Sequence, residues 1–369
     1  MTLTRKPYKL IARQSPVISL EEVKVCLAVG EVTKTTVLTK GQTTANCIPF
    51  ITFETTSTAD VLPRSKFARA YFSAGDLILE RDGVGSGDCV LCATITIIEY
   101  DPTKVKVQQG TTFGAPDFPA IPSPVVIDNS FVYMSYTTST RSPMNYSQNM
   151  ATARIFNTTT VEIAVTPVGS ENIASTAWFV AEALGGYFTV QHGEIVVGAS
   201  DIVATDIIAS VDMDKSFVIA SMTTEIASDE ATDGIGSCEL QDATTVRFNR
   251  TAGAGLVDPS GGACSIQYQV ITFNASSRAN VQRGHKTLAA NVSNTTSELI
   301  TAVNTSVSMA HNVMLNGINQ ISMNDPVQIG NIHTRLNIDS GTVLRFTQTT
   351  GIPSSPTSSI DWEVIEWLE

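Results

Sequence analysis

Charge is the first thing this sequence is short of. Only 16% of its 369 residues are charged, and the balance is acidic, with a net charge of −12. A protein that grips nucleic acid normally carries a basic face, so nucleic acid is not an expected partner. No apolar run approaches the roughly 20 residues of a membrane-spanning helix, so a membrane is not expected either. The N-terminal stretch lacks the apolar core of a secretory signal, which predicts synthesis in a cytoplasm. Histidine is scarce: His192, His285, His311 and His333 are the full set. None sits in HExxH or another close metal spacing, and an exposed structural role is expected for each. Nucleophile elbows, phosphate-binding glycine loops and nucleophile–base pairs are missing as well. The expectation is a protein that is not an enzyme and holds no metal or cofactor.

What is present is material for strands. Hydrophobic residues reach 43%, enough for real cores. Thr, Ser, Val, Ile and Ala dominate, which favours β-structure. Short β-branched runs are separated by turn clusters such as RDGVGSGD and DPSGG. The best helical candidate, SELITAV from Ser297, reads equally well as a strand.

The chain repeats itself. ITIIEY (Ile95), WFVAEA (Trp178), YQVITF (Tyr268) and WEVIEW (Trp362) start 83, 90 and 94 residues apart. VQQG (Val107), VQHG (Val190) and VQRG (Val281) follow the first three, and LAVG (Leu27) offers a weaker match. Between them stand NSFVYMSYTT (Asn129) and KSFVIASMTT (Lys215), with looser copies at Cys47 and Thr305. Arg69, Arg154 and Arg335 each precede a hydrophobic strand by seven or eight residues, and Glu239 takes that place in the third copy. These signals divide the chain into an arm at 1–19 and repeats at 20–101, 102–185, 186–275 and 276–369. The expected fold is all-β: four tandem antiparallel β-sandwich domains after a short extended N-terminal arm.

The last strand has two apolar faces. Ile360, Trp362 and Val364 share one; Ile365 and Trp367 share the other. The first face should pack in its own repeat. The second should pack on a neighbour, so the cover of Trp367 should come from another chain or from an earlier part of this one.

The recurring Glu99, Glu182 and Glu366 could suggest acid–base chemistry. A site built once per fold unit is a poor expectation for an enzyme, and a structural partner, such as the repeated Arg, is the better one. The six cysteines fall four, none, two and none across the repeats. Disulfides within repeats, buried thiols, and a zinc site around the Cys89–Cys92 CxxC all remain open. Cys238 and Cys264 flank strands of the third repeat and are expected to lie close enough to pair. The seven N-x-S/T sequons follow from an Asn-, Ser- and Thr-rich composition. All three tryptophans lie in the terminal strands, which leaves Phe113 and Tyr146 as the loop aromatics open to sugar contact, with ordinary partial burial the better expectation for both.

The arm stands apart. Arg5, Lys6, Lys9 and Arg13 precede any acid, the first of which is Glu21. Tyr8, Leu10, Ile11 and Val17 are interleaved with them. The arm therefore reads as a partner-binding segment able to pair charges and add a strand to a sheet edge.

The composite pattern VQxG, SFVxxS, Arg-apolar and [WY]-x-V-[IV]-E-[FW] resembles repeats in virion proteins of tailed bacteriophages, found in tail, fibre and capsid-surface components. Each unit is also similar to the small β-sandwich of H-type lectins, whose terminal strand carries a Trp. The resemblance spans residues 20–369 and is poorest in the first repeat. It implies a structural virion protein, made in the host cytoplasm and held in the particle. Its partners would be capsid or tail subunits and copies of itself. It transfers no catalytic or sugar-binding residue. The alternative is a receptor-binding adhesin recognising host cell-surface glycans; a depolymerase, with a paired-carboxylate cleft in one repeat, ranks third.

Overall fold

The computed structural model describes residues 15–39, 42–55, 63–83, 89–139, 149–165, 173–198, 201–224, 235–250, 263–288, 294–315, 320–321, 333–348 and 358–368. Among them there is no α-helix, only three-residue 3₁₀ turns. The strands of the first repeat are β1 (Val17–Leu27), β2 (Thr33–Thr36), β3 (Cys47–Thr55), β4 (Arg69–Ser73), β5 (Asp76–Glu80) and β6 (Leu91–Tyr100). The second holds β7 (Val105–Phe113), β8 (Ser130–Thr138), β9 (Ala151–Asn157), β10 (Thr160–Val165) and β11 (Ile173–Ala183). In the third are β12 (Phe188–Val197), β13 (Val203–Ile207), β14 (Ser216–Thr224), β15 (Gly236–Asp242), β16 (Thr245–Arg250) and β17 (Cys264–Phe273). The fourth comprises β18 (Ala279–Leu288), β19 (Asn294–Leu299), β20 (Ser308–Asn312), β21 (Gln320–Ile321), β22 (Arg335–Ser340), β23 (Val343–Gln348) and β24 (Ser358–Trp367). β1 already includes Val17, so the first sheet begins inside the stretch read as an arm.

Every pairing between these strands is antiparallel, and the sheets are small. One order recurs four times: first strand, last strand, then the third strand or its counterpart β8 in the second repeat, as in β1-β6-β3, β7-β11-β8, β12-β17-β14 and β18-β24-β20. The companion sheets are β2-β5-β4, β13-β16-β15 and β19-β23-β22. In the second repeat β10-β9 stands alone, and single bridges from Asp117 and Ala120 take the place of the missing edge strand.

Two sequence signals prove to be one device. Trp178 pairs with Gly110, Tyr268 with Gly193 and Trp362 with Gly284. A Cβ added at Gly284 would lie 2.5 Å from the Trp362 ring, and Gly110 faces Trp178 just as closely. The glycine of VQxG is therefore there because an aromatic side chain lies across it. In the first repeat the equivalent pair is Val23 and Ile95. Both halves of the device are absent together, and the true counterpart of VQxG is Leu20–Val23, not LAVG. The glutamine of the motif uses both ends of its carboxamide on one loop residue. Gln108 binds Ser123, Gln191 binds Ala209 and Gln282 binds Thr301, each through N–H and C=O at 2.7–3.0 Å.

The last strand divides its faces. Ile360, Trp362 and Val364 pack with Leu336, Ile338, Leu344 and Phe346 of the companion sheet. Ile365 and Trp367 belong to a larger core shared with the first three repeats. Trp367 meets Phe273, with centroids 6.4 Å apart, so its cover comes from an earlier part of the same chain.

The outward faces of the third strands build that shared core. Phe50 lies 4.5 Å from Tyr133 and 6.3 Å from His311; Phe217 lies 5.7 Å from His311 and 6.2 Å from Phe131. A hydroxyl at the sixth position of the third strand repeats between neighbours. Ser135 accepts from Ala70 N–H, Ser221 from Ala153 N–H, and Thr52 from Leu336 N–H, at 3.0–3.2 Å. The last of these joins the fourth repeat to the first, so the series returns on itself. At the remaining junction Val313 holds the position, and its carbonyl accepts from Ala220 N–H instead. The repeats are thus not separate beads: they share one interior.

A valine at Gly110 should cost about 1–3 kcal/mol through overpacking. Adding Trp178→Ile, which recreates the Val23–Ile95 pair, should recover most of that loss. Denaturant unfolding of Gly110→Val and the double variant decides it; equal stability of the two would refute the pairing.

Candidate functional site

Arg5, Lys6, Lys9 and Arg13 lie outside the described residues, as does Tyr146. Phe113 ends β7 with its side chain 79% exposed, and the Arg69 guanidinium sits 5.9 Å from its ring centre. The recurring carboxylates hold turns. Glu99 accepts from Thr43 N–H, Glu182 from Val126 N–H and Glu366 from Asn304 N–H, always four residues before a third strand. Their shared partner is a backbone amide, not the repeated arginine. In the third repeat Asp212 occupies the turn and caps it itself, accepting from Asp214 N–H, which fits Thr272 in place of Glu.

The arginine signal mixes two register positions. Arg154 pairs with Glu162 in the ladder, as Glu239 does with Arg247. Arg69 and Arg335 stand two residues earlier on the same face, where Arg69 pairs with Glu80 and Arg335 reaches Glu54 of the first repeat at 2.9 Å. A different arginine pair went unread. Arg81 and Arg250 are buried and bind backbone carbonyls. Arg81 donates to the carbonyls of Ala28, Glu31 and Cys89, and Arg250 to those of Gly198 and Asp201. Five fixed donors let a guanidinium gather several carbonyls at once. No period of hydrophobicity announces such a clamp.

The cysteine pairing needs correction. Cys26 and Cys92, opposite each other on β1 and β6, are bridged. That takes two of the four sulfurs from any zinc tetrad. Cys238 and Cys264 are both buried and unbridged. They lie on β15 and β17, in different sheets of the repeat, and sheets that pack face to face stand about 10 Å apart. Cys264 Sγ instead faces Arg250 Nη1 at 3.6 Å. Burial pushes the Cys238 thiol well above its ordinary range. Several sequons serve as turn locks: Asn157, Asn274 and Asn304 each accept from the N–H and hydroxyl two residues on.

The variable residue of VQxG bridges repeats. Gln109 reaches Thr44 O, His192 reaches Ile127 O, and Arg283 reaches Met213 O and Ser216 O. Thr44, Ile127 and Met213 each open the 3₁₀ turn ahead of the preceding repeat's third strand. Above these contacts lie clefts. The one between the second and third repeats has a volume of about 340 Å³ and is lined by Arg154, Phe156, His192, Glu194, Gln267 and Tyr268. Its counterpart between the third and fourth has about 60 Å³, lined by Glu239, Arg283, His285, Asp361, Trp362 and Glu363. The two are the same place in the repeat, filled differently.

The smaller cleft is closed by ionic pairs. His285 Nδ1 lies 2.7 Å from Asp361 Oδ1, and Arg283 Nε lies 3.4 Å from Glu363 Oε1. Glu363, almost wholly buried, also accepts from Val218 N–H and faces His311 Nε2 at 3.2 Å. Two histidines therefore differ from the exposed expectation: His311 lies in the shared core, and His333 is buried against Phe53 and Phe67. Among the described residues, no cluster of His, Cys, Asp and Glu is arranged to hold a metal ion.

Two junction histidines respond oppositely to pH. The hydrogen bond to Asp361 raises His285 above its ordinary value, although partial burial opposes it. Its contribution is complete below about pH 6.5 and is lost as pH rises through the raised value. Burial lowers His192, whose neutral ring donates to Ile127 O. Its contribution is complete above about pH 6.5 and is lost as pH falls through the lowered value. Thermal unfolding across this range should show that His285→Gln abolishes one slope and His192→Gln the other. The half-exposed His285 pair should be worth less than about 1 kcal/mol. Unchanged profiles in both variants would contradict these assignments.

No protein-family model matches the chain, and no curated protein matches it in sequence.

Proposed function

We propose that this chain is a non-enzymatic structural component of a tailed-phage virion, carried on the capsid surface or attached to the tail. In this reading each sheet pair is a β-sandwich domain, and the four domains form one closed body. The observation that carries the proposal is the use to which the repeated residues are put. The glycine–aromatic pair, the glutamine on its loop, the carboxylate on its turn and the variable VQxG residue all serve folding or the contact between repeats. A chain whose recurring side chains all maintain shape suits a building block better than a catalyst. The larger cleft favours a second reading, an adhesin that engages host glycans.

The arm is assigned to attachment. Its cations face a chain that otherwise carries surplus acid, and it precedes a firmly anchored start. Ser15 is buried, Pro16 O accepts from Asp101 N–H, and Ser15 O accepts from Lys104 Nζ. Removing residues 2–14 should therefore leave thermal unfolding unchanged while weakening attachment to the particle or to a sister subunit. Attachment by the intact protein should weaken with salt. Mass spectrometry of purified particles gives the copy number: hundreds imply a shell or tube, a few to a few dozen a fibre or baseplate. Absence from particles would sink the virion reading, and full attachment by the truncated chain would reduce the arm to a tail.

A further inference from the structure

We propose that the cleft between the second and third repeats is a binding site for a short, uncharged saccharide. This goes beyond the structural reading and does not depend on it.

The repeats themselves identify the site. Its floor is the pair Glu194–Gln267, opposite each other on β12 and β17. The equivalent pairs are Lys24–Thr94, Thr111–Ala177 and His285–Asp361. In the fourth repeat histidine and aspartate close on each other. In the first the floor adjoins the Cys26–Cys92 bridge, and in the second one member is a bare methyl. Only in the third does a carboxylate stand beside a carboxamide. Glu194 Oε1 accepts from Ser265 Oγ, which orients the carboxylate.

The wall comes from the second repeat. The side chain of Phe156 is 52% exposed at the end of β9, although a strand offers inward positions for aromatics. Phe118 meets it edge to face at 5.7 Å, and Arg154 Cζ lies 5.8 Å from its centroid. The ring is thus held in place while still facing solvent. Arg154 is itself paired with Glu162, so it brings donors to the wall without an uncompensated charge.

These groups select a ligand by chemistry. The carboxylate disfavours anions, and the guanidinium offers nothing to a cation. The vicinal hydroxyls of a sugar both donate and accept, so they can bridge a carboxylate and a carboxamide, while the C–H face of the ring packs on Phe156. About 340 Å³ lies at the small end of the ~300–1,000 Å³ typical of ligand sites, which suits a mono- or disaccharide.

The test is saturation-transfer NMR on the full chain with methyl glycosides of the common hexoses, N-acetylhexosamines and uronic acids, and with neutral disaccharides. Transfer is expected from one or more neutral sugars and from none of the uronic acids. Gln267→Ala and Phe156→Ala should each weaken binding about tenfold or more, with thermal unfolding unchanged. His285→Ala, at the equivalent floor position of the next junction, should leave it intact. No transfer from any neutral sugar, or transfer that survives both cleft variants, overturns the proposal. Particle copy number judges the virion reading separately, so either idea can fail alone.

Discussion

Burial of both faces of the inner strands of four small sheets is the constraint on which the rest of this structure depends. β3, β8 and β14 are buried at every position. One face of each points into its own repeat, and the other into the interior shared by all. A strand in this setting cannot alternate apolar and polar residues, and every polar group it carries must find a partner within the protein. Gln269 meets that demand by bonding both the N–H and the C=O of Val132 in the preceding repeat, each at 2.7 Å. Glu363 takes Val218 N–H in the same manner. The equivalent backbone position in the first repeat is Pro49, which has no N–H to satisfy. There the residue that would reach it is the apolar Phe179, and the Tyr133 hydroxyl accepts from Ile51 N–H instead.

Residues in this protein therefore change in pairs. Glycine and aromatic give way together to Val23 and Ile95. The carboxylate on the turn gives way to Thr272 where Asp212 caps the turn. Pro49 and Phe179 replace an amide and its acceptor. The repeats look degenerate when read position by position and are far less so when read contact by contact, because what persists is a satisfied interaction and not a residue.

This explains what was legible in the sequence. Strand character, the repeat itself and the two faces of the last strand follow from period-2 patterning over short windows, and all were readable. Register was not. A slip of one residue turns a side chain to the other face. LAVG lies seven residues after the true counterpart of VQxG, and Arg69 and Arg335 sit two residues before the Arg154 position, because spacing along the chain does not fix which residues pair. The buried clamps of Arg81 and Arg250 gave no signal, because their partners are carbonyls, which every residue has. The Glu194–Gln267 floor was equally silent: its two members are 73 residues apart and become neighbours only when β12 and β17 pair. Cys238 and Cys264 looked pairable because each flanks a strand of the third repeat, which carries no information about which sheet that strand joins.

The junctions between repeats share a geometry but not a chemistry. At the first, Phe72 meets Phe179, which stands where the next two junctions place Gln269 and Glu363. Neutral hydrogen bonds from Gln269 and Ser221 hold the second. At the third, charged Arg283 and Glu363 of the fourth repeat bind backbone groups of the third, and the fourth joins Arg335 to Glu54. Identical junctions would let the fourth repeat dock on the first repeat of another copy as readily as on its own, and a chain of copies would compete with the closed form. Different junctions do not remove that competitor at the closing contact, but they prevent every other exchange: an apolar Phe179 offered to Val218, or a buried Glu363 offered to Pro49, leaves a polar group without a partner. Correct order along the circuit is enforced by these mismatches. Intramolecular closure at the one remaining junction is then favoured by effective concentration, since the first and fourth repeats are tethered through the two between them.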